Sequence, residues 1–262
     1  MKLSLDTYSI GTDLTLNDLL ELLPANGIQG VEFRCEANQQ HGVEPETTQA
    51  ERRRVRALLE NAGIEVSCLS TSQRFESPDP AVRQQAIDRT NQFINLAADL
   101  GCGRIRVFGN DFPPDVPKPE VIRYVGESLR HCGEHAEKVA NNTGAYVDVL
   151  LEMHGQFYYW EYCLGAVEIA DHPHVAINYN CDDRDLVEGS VAYTFDKVKH
   201  QVRHVHMHEL ENPSFPYIEL FGILKKMDYQ GFVSLEEGYR GGGEKKVIAL
   251  YAALFRELVA QA

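Results

Sequence analysis

Val147-Asp148-Val149-Leu150-Leu151-Glu152 is a short apolar run that ends on a carboxylate. Two later runs end in a similar way. Phe232-Val233-Ser234-Leu235 leads into Glu236, and between them Val202-Arg203-His204-Val205 leads into His206. Desolvating a lone charge is costly, so a buried strand that ends on a carboxylate or an imidazole is read as placing that group for use beyond the strand. Ending several strands this way is how a parallel (β/α)8 barrel builds an active site at its C-terminal mouth. The three runs point to a fold and a chemistry together.

The pattern on either side of these runs completes the count. Strands are expected over residues 3–8, 30–34, 65–70, 104–108, 147–153, 175–179, 202–207 and 232–235. Helical periodicity covers 14–23, 47–61, 79–100, 120–141, 158–170, 193–199, 217–227 and 246–260, with Gly63 and Gly101 placed as helix stops. Eight strands alternating with eight helical stretches is the count that closes an α/β barrel of the (β/α)8 TIM type. No strand runs into a G-x-G-x-x-G turn, which disfavours an open dinucleotide-binding sheet. No Pro/Ser-rich linker divides the 262 residues, so one domain over 1–262 is expected, a length usual for one such barrel.

Charge and cysteine usage narrow the partners. A net charge of −14 opposes nucleic acid as the main partner, because that affinity rests on neutralising phosphates. Arg52, Arg53, Arg54 and Arg56 sit beside Glu51 and Glu60 and read as a solvated helix face. The six cysteines form no C-x-x-C pair, and several lie in apolar stretches, where cysteine acts as a small hydrophobe. With no apolar leader at the N-terminus, a reducing cytoplasm is expected. No run approaches the roughly 18 apolar residues of a membrane span.

Two glutamates and a histidine at one mouth make a hard, oxygen-rich donor set suited to Mn²⁺, Mg²⁺, Co²⁺ or Zn²⁺. A fourth group is expected from strand six, which ends at Asn180-Cys181-Asp182-Asp183.

In their order and spacing these segments resemble the xylose isomerase-like superfamily of barrels, which includes sugar and sugar-phosphate isomerases and epimerases, inosose dehydratases and AP endonucleases. The resemblance spans essentially the whole chain. It is carried by Gly30-Val31-Glu32-Phe33-Arg34, Ile105-Arg106-Val107-Phe108-Gly109, Leu151-Glu152-Met153-His154, His204-Val205-His206-Met207-His208 and Gly231-Phe232-Val233-Ser234-Leu235-Glu236. In its epimerase-like members a Glu on strand five, an Asp on strand six, a His on strand seven and a Glu on strand eight hold the metal. Carried over, this implies Glu152, His206 and Glu236, with Asn180 at the strand-six position. There the chain departs from the pattern: the family's Asp, followed three residues later by His, is replaced by Asn180 and Asp183. Three outcomes stay open: coordination through the Asn180 carbonyl, takeover by Asp182 or Asp183, or weakened metal binding.

The resemblance implies an isomerase or epimerase of a small sugar or hydroxy-ketone. Such a reaction removes a proton beside a carbonyl and stabilises the enediolate, with Glu152 and Glu236 as acid and base and the metal as Lewis acid. His154, Asp183, His208, Glu32 and Arg240 are the expected substrate-binding residues. His204, His206 and His208 share one strand parity, so parity alone does not choose the ligand, and the resemblance favours His206. Glu32 and Arg34 either reach the mouth or pack inward as a pair, and Arg106 reads as a buried structural cation. Trp160 and the adjacent aromatics offer either a sugar-facing wall or helix packing. The loop Gly238-Tyr239-Arg240-Gly241-Gly242-Gly243 offers an anion site or a plain turn. A lyase or dehydratase acting on a keto-sugar or inosose in the same mouth, or a non-catalytic barrel that binds carbohydrate or serves as a subunit of a complex, are the competing readings. A homodimer is expected by analogy.

Overall fold

Strong local signals start and stop the elements. In the computed structural model, which describes residues 1–239 and 243–262, the strands are β1 (Lys2–Asp6), β2 (Gly30–Arg34), β3 (Glu65–Arg74), β4 (Arg104–Phe108), β5 (Asp148–Glu152), β6 (Val175–Asn180), β7 (Val202–Met207) and β8 (Phe232–Leu235). They alternate with α1 (Leu16–Ala25), α2 (Gln49–Asn61), α3 (Pro80–Leu100), α4 (Lys118–Thr143), α5 (Trp160–Ala170), α6 (Ala192–Val198), α7 (Tyr217–Lys226) and α8 (Glu244–Gln261). Thr15 and Asp18 form a reciprocal capping box at α1, Thr48 and Asp79 cap α2 and α3, and Gly101 ends α3 in the left-handed conformation.

All eight strands pair in parallel and in chain order, and β1 returns to β8, closing the barrel. The fold class is therefore the (β/α)8 TIM barrel. β5 and β6 are buried along their whole length, as expected of parallel strands covered on both faces. Odd-numbered residues such as Leu3, Leu5, Val149 and Leu151 join the apolar layer beneath the helices. Several even-numbered residues turn into the barrel instead and form a buried polar column: Ser4, Asp6, Glu32, Glu152, His204 and His206. At its base, Gly30 lets the Phe232 ring close the floor, since a Cβ there would lie 2.5 Å from that ring.

Element ends differ from the sequence reading in two informative places. β1 stops at Asp6, not at residue 8, because the Asp6 carboxylate accepts the Tyr8 backbone N–H at 3.0 Å and turns the chain. β3 runs to Arg74, past residue 70, because the strand shifts register and Arg74 pairs with Phe108. Among the described residues no helix is long and apolar enough to cross a membrane.

Candidate active site

The mouth at the C-terminal ends of the strands gathers its polar groups around one imidazole. His206, fully buried on β7, has carboxylates on both sides of its ring. Its Nδ1 lies 2.6 Å from Glu152 Oε1 and 3.1 Å from Glu236 Oε2, while its Nε2 lies 2.9 Å from Glu32 Oε1. Glu32 Oε2 takes a second histidine, His204 Nε2, at 2.7 Å, and His204 also meets Ser234 Oγ at 3.0 Å. Ser70 Oγ donates to Glu32 from β3. Asn178 on β6 bridges the group, its Nδ2 donating to Glu152 Oε1 at 3.2 Å and lying 3.1 Å from His206 Nδ1.

Burial opposes every charge here, and the neighbours decide which charges survive. Burial would raise Glu152, but the Arg106 guanidinium and His206 hold it down to about 2. Arg106 Nε stands 3.5 Å from Glu152 Oε2, and Arg106 Nη1 donates to the Thr71 carbonyl at 2.8 Å. Burial would likewise raise Glu236, which His206 keeps below the usual carboxylate range. His206 itself is disfavoured as a cation by burial, yet Glu32, Glu236 and Glu152 lift it well above the usual histidine value. Asp6, at the end of β1, goes the other way: burial, then Glu32 and Glu236, push its carboxyl well up.

The donor chemistry fits a hard divalent cation. Asp6, His206 and Glu236 offer ligand atoms within 4.8 Å of one another, as do Glu32, His204 and His206. Glu152 Oε2 and Asn178 Oδ1 are buried without a hydrogen-bond partner. Crowded carboxylates around a protonated histidine are an arrangement in which a cation can take the place of the proton.

Above this cluster opens a cleft of about 630 Å³, lined by Arg34, Arg106, Glu152, His154, His208 and Glu236, among others. His154 lies at the rim, where its Nδ1 meets Asn110 Oδ1 at 2.9 Å. The turn that follows needs Gly155, which has φ +62° and leaves no room for a Cβ: one there would lie 2.6 Å from the Asn110 carbonyl. His208 bonds to the Asn180 side-chain oxygen and, through Nδ1, to the Glu236 carbonyl at 3.0 Å. Asp183 lies on the rim and accepts from Ser214 Oγ at 2.7 Å.

The sequence reading and the geometry differ at particular residues. Glu152, His206 and Glu236 come together. Glu32, expected on the substrate wall, lies beneath the cleft because two histidines hold it there. It makes no pair with Arg34, which turns to the Ser70 carbonyl at 3.2 Å and Ser72 Oγ at 2.7 Å. Arg106 is buried as expected, but it also lines the cleft beside Glu152. Asn180 serves His208, and it is Asn178, one inward position earlier, that lies between Glu152 and His206. Trp160 packs beside Tyr159 outside the cleft. Arg240 falls outside the described residues. Asp6 and Asn178 were not singled out. Leu3-Ser4-Leu5-Asp6 carries the signal of the three opening runs, masked by reading that strand two residues too long.

Known proteins give the same architecture. The model of the xylose isomerase-like TIM barrel family matches residues 20–258. Among solved structures, 3-keto-D-glucoside 4-epimerase YcjR from E. coli superposes with a TM-score of 0.78 at 17% identity, covering 99% of each chain. D-psicose 3-epimerase with D-tagatose, from Clostridium cellulolyticum H10, gives 0.74 at 19% identity over 100% of this chain and 96% of that one. The IOLI protein with a bound zinc atom gives 0.71 at 13% identity over 100% and 99%. At such identities the likeness is one of fold.

Proposed function

The chain belongs to the xylose isomerase-like TIM barrel family, and from that premise we propose that it is a divalent-metal-dependent isomerase or epimerase of a small sugar or hydroxy-ketone. One observation carries the reading: two glutamates from different strands approach the same buried ring nitrogen, 2.6 and 3.1 Å away, at the foot of an open polar cleft. Glu152, His206 and Glu236 would hold the metal, which supplies Lewis acidity toward the carbonyl and hydroxyl oxygens of a bound hydroxy-ketone.

The proton work falls to the glutamates. Both are held below the usual carboxylate range, so both enter the reaction able to accept a proton. Glu152 keeps Oε2 free of hydrogen bonds, beside Arg106. One glutamate takes the proton from the carbon beside the carbonyl; the other takes up a proton from water and delivers it to the enediolate, on a neighbouring carbon or on the opposite face, and the first then releases its own proton to water. Arg106, next to Glu152, adds a fixed positive charge where the enediolate oxygen develops. His154, His208 and Asp183 on the cleft wall offer hydrogen bonds to substrate hydroxyls, and Arg240 is proposed to join them. The structures described as epimerases, and the zinc-bound relative, support this chemistry by likeness.

The test is a screen of ketoses and inososes in D2O with added Mn²⁺. Solvent deuterium should enter at a carbon next to the carbonyl, and Glu152→Gln and Glu236→Gln should each remove that exchange. Exchange that survives both substitutions overturns the two-glutamate mechanism. Exchange accompanied by loss of water from the substrate would mark a dehydratase instead.

A further inference from the structure

If the mouth holds a divalent cation, strand six leaves it one negative charge short. Its two inward side chains nearest the mouth are amides. Asn178 directs its NH2 at Glu152 and toward His206, and Asn180 spends its oxygen on His208. The resemblance pattern of Glu, Asp, His and Glu has three carboxylates, and this chain retains two of them.

A third carboxylate arrives from the opposite side of that gap. β1 pairs with β8, with Leu5 opposite Leu235, so Asp6 and Glu236, each the next residue along, come side by side across the seam that closes the barrel. Asp6 is fully buried. It accepts one backbone N–H, from Tyr8, and a long 3.4 Å contact from Ser70 Oγ. Its carboxylate, the His206 ring and the Glu236 carboxylate have ligand atoms within 4.8 Å of one another. A second observation lies beside the same imidazole. Glu152, which touches the same ring nitrogen as Glu236, and Asn178 beside it each leave a buried oxygen without a hydrogen bond, that of Glu152 standing 3.5 Å from Arg106 Nε. A lone buried carboxylate is costly, and a metal ion held by Asp6, His206 and Glu236 relieves that cost for both of those carboxylates.

We propose that Asp6 is the fourth protein ligand of the metal, completing a set with Glu152, His206 and Glu236, and that strand six contributes no ligand charge. The inference rests on the metal-dependent reading above. The ligand has moved from β6 to β1 while the charge count, three carboxylates and one imidazole, is unchanged. The move leaves Asn180 and His208 bonded to each other on the cleft wall, outside the ligand set.

Mn²⁺ binding to the full-length protein, followed by calorimetry and by electron paramagnetic resonance, tests this. Asp6→Asn is nearly isosteric and should weaken Mn²⁺ roughly tenfold or more, since even groups outside the ligand set typically contribute 10–100-fold. Asn180→Ala should leave affinity within about twofold of the parent. Asp6→Cys should gain a thiolate-to-Cd²⁺ charge-transfer band that the parent protein lacks, because thiolate favours soft metals; this readout requires residue 6 to touch the metal. Parent-like Mn²⁺ affinity in Asp6→Asn, or no new band in a folded Asp6→Cys protein, overturns the assignment while leaving the metal reading intact. A parent protein that binds no divalent ion removes both.

Discussion

At the scale of single residues, the chain tolerates buried carboxyls that its core would be expected to reject. Asp185, in the turn after β6, is buried with neither oxygen hydrogen-bonded, and burial, then Asp182, pushes its carboxyl up to about 8. An unfolded chain releases this proton near the ordinary 3.8, while the folded chain holds it to about 8. The folded state thus binds more protons across that window, and stability falls as pH rises through it. Asp185→Asn, which removes the titration, should leave stability little changed at the acid end and raise it at the alkaline end, by up to a few kcal/mol. Urea unfolding at both ends of the window measures this; an equal effect at both ends would refute it. Glu152 shows the opposite balance, where a guanidinium and an imidazole outweigh burial. Sequence alone fixes neither outcome, because each depends on neighbours brought in by other strands.

At the scale of elements, the strands were legible and their last residues less so. The runs ending in Glu152 and Glu236 form strands that deliver those residues to the mouth, because in parallel strands buried on both faces apolar continuity is itself the signal. Asp6 and Asn178 escaped notice for a physical reason: where a strand stops, and which of two inward positions meets a neighbour, depend on register, and register is set by barrel closure. β6 and β7 slip between Ile177 and Asn178, which no pattern in β6 announces. The β5–α5 connection carries its own test. Gly155 both adopts φ +62° and leaves no room for a Cβ against Asn110, so Gly155→Ala should shift His154 off Asn110. For a substrate that His154 binds, KM should rise several-fold while Mn²⁺ affinity stays at the parent value. Unchanged KM would separate His154 from substrate recognition.

At the scale of the whole molecule, the net charge of −14 and the acidic mouth act in the same direction, drawing cations toward the strand ends. Binding to the folded state alone stabilises it by roughly 2.7 kcal/mol at a hundredfold excess over Kd. For a chain of this size that is a rise in Tm of roughly 5–10 °C, which EDTA should reverse. A Tm indifferent to both Mn²⁺ and EDTA would count against a resident metal. The seam between β1 and β8 has a further consequence, one of timing. It joins Lys2 to Phe232 and Leu5 to Leu235, the most distant pairing in the barrel and among the slowest kinds of contact to form. Asp6 and Glu236 stand on its two sides, so during synthesis the first of them waits for nearly the entire polypeptide before the second exists. A cation bridging them would fasten the two ends of the chain and would be retained only by a finished barrel, making metal retention a report on whether the last strand has docked.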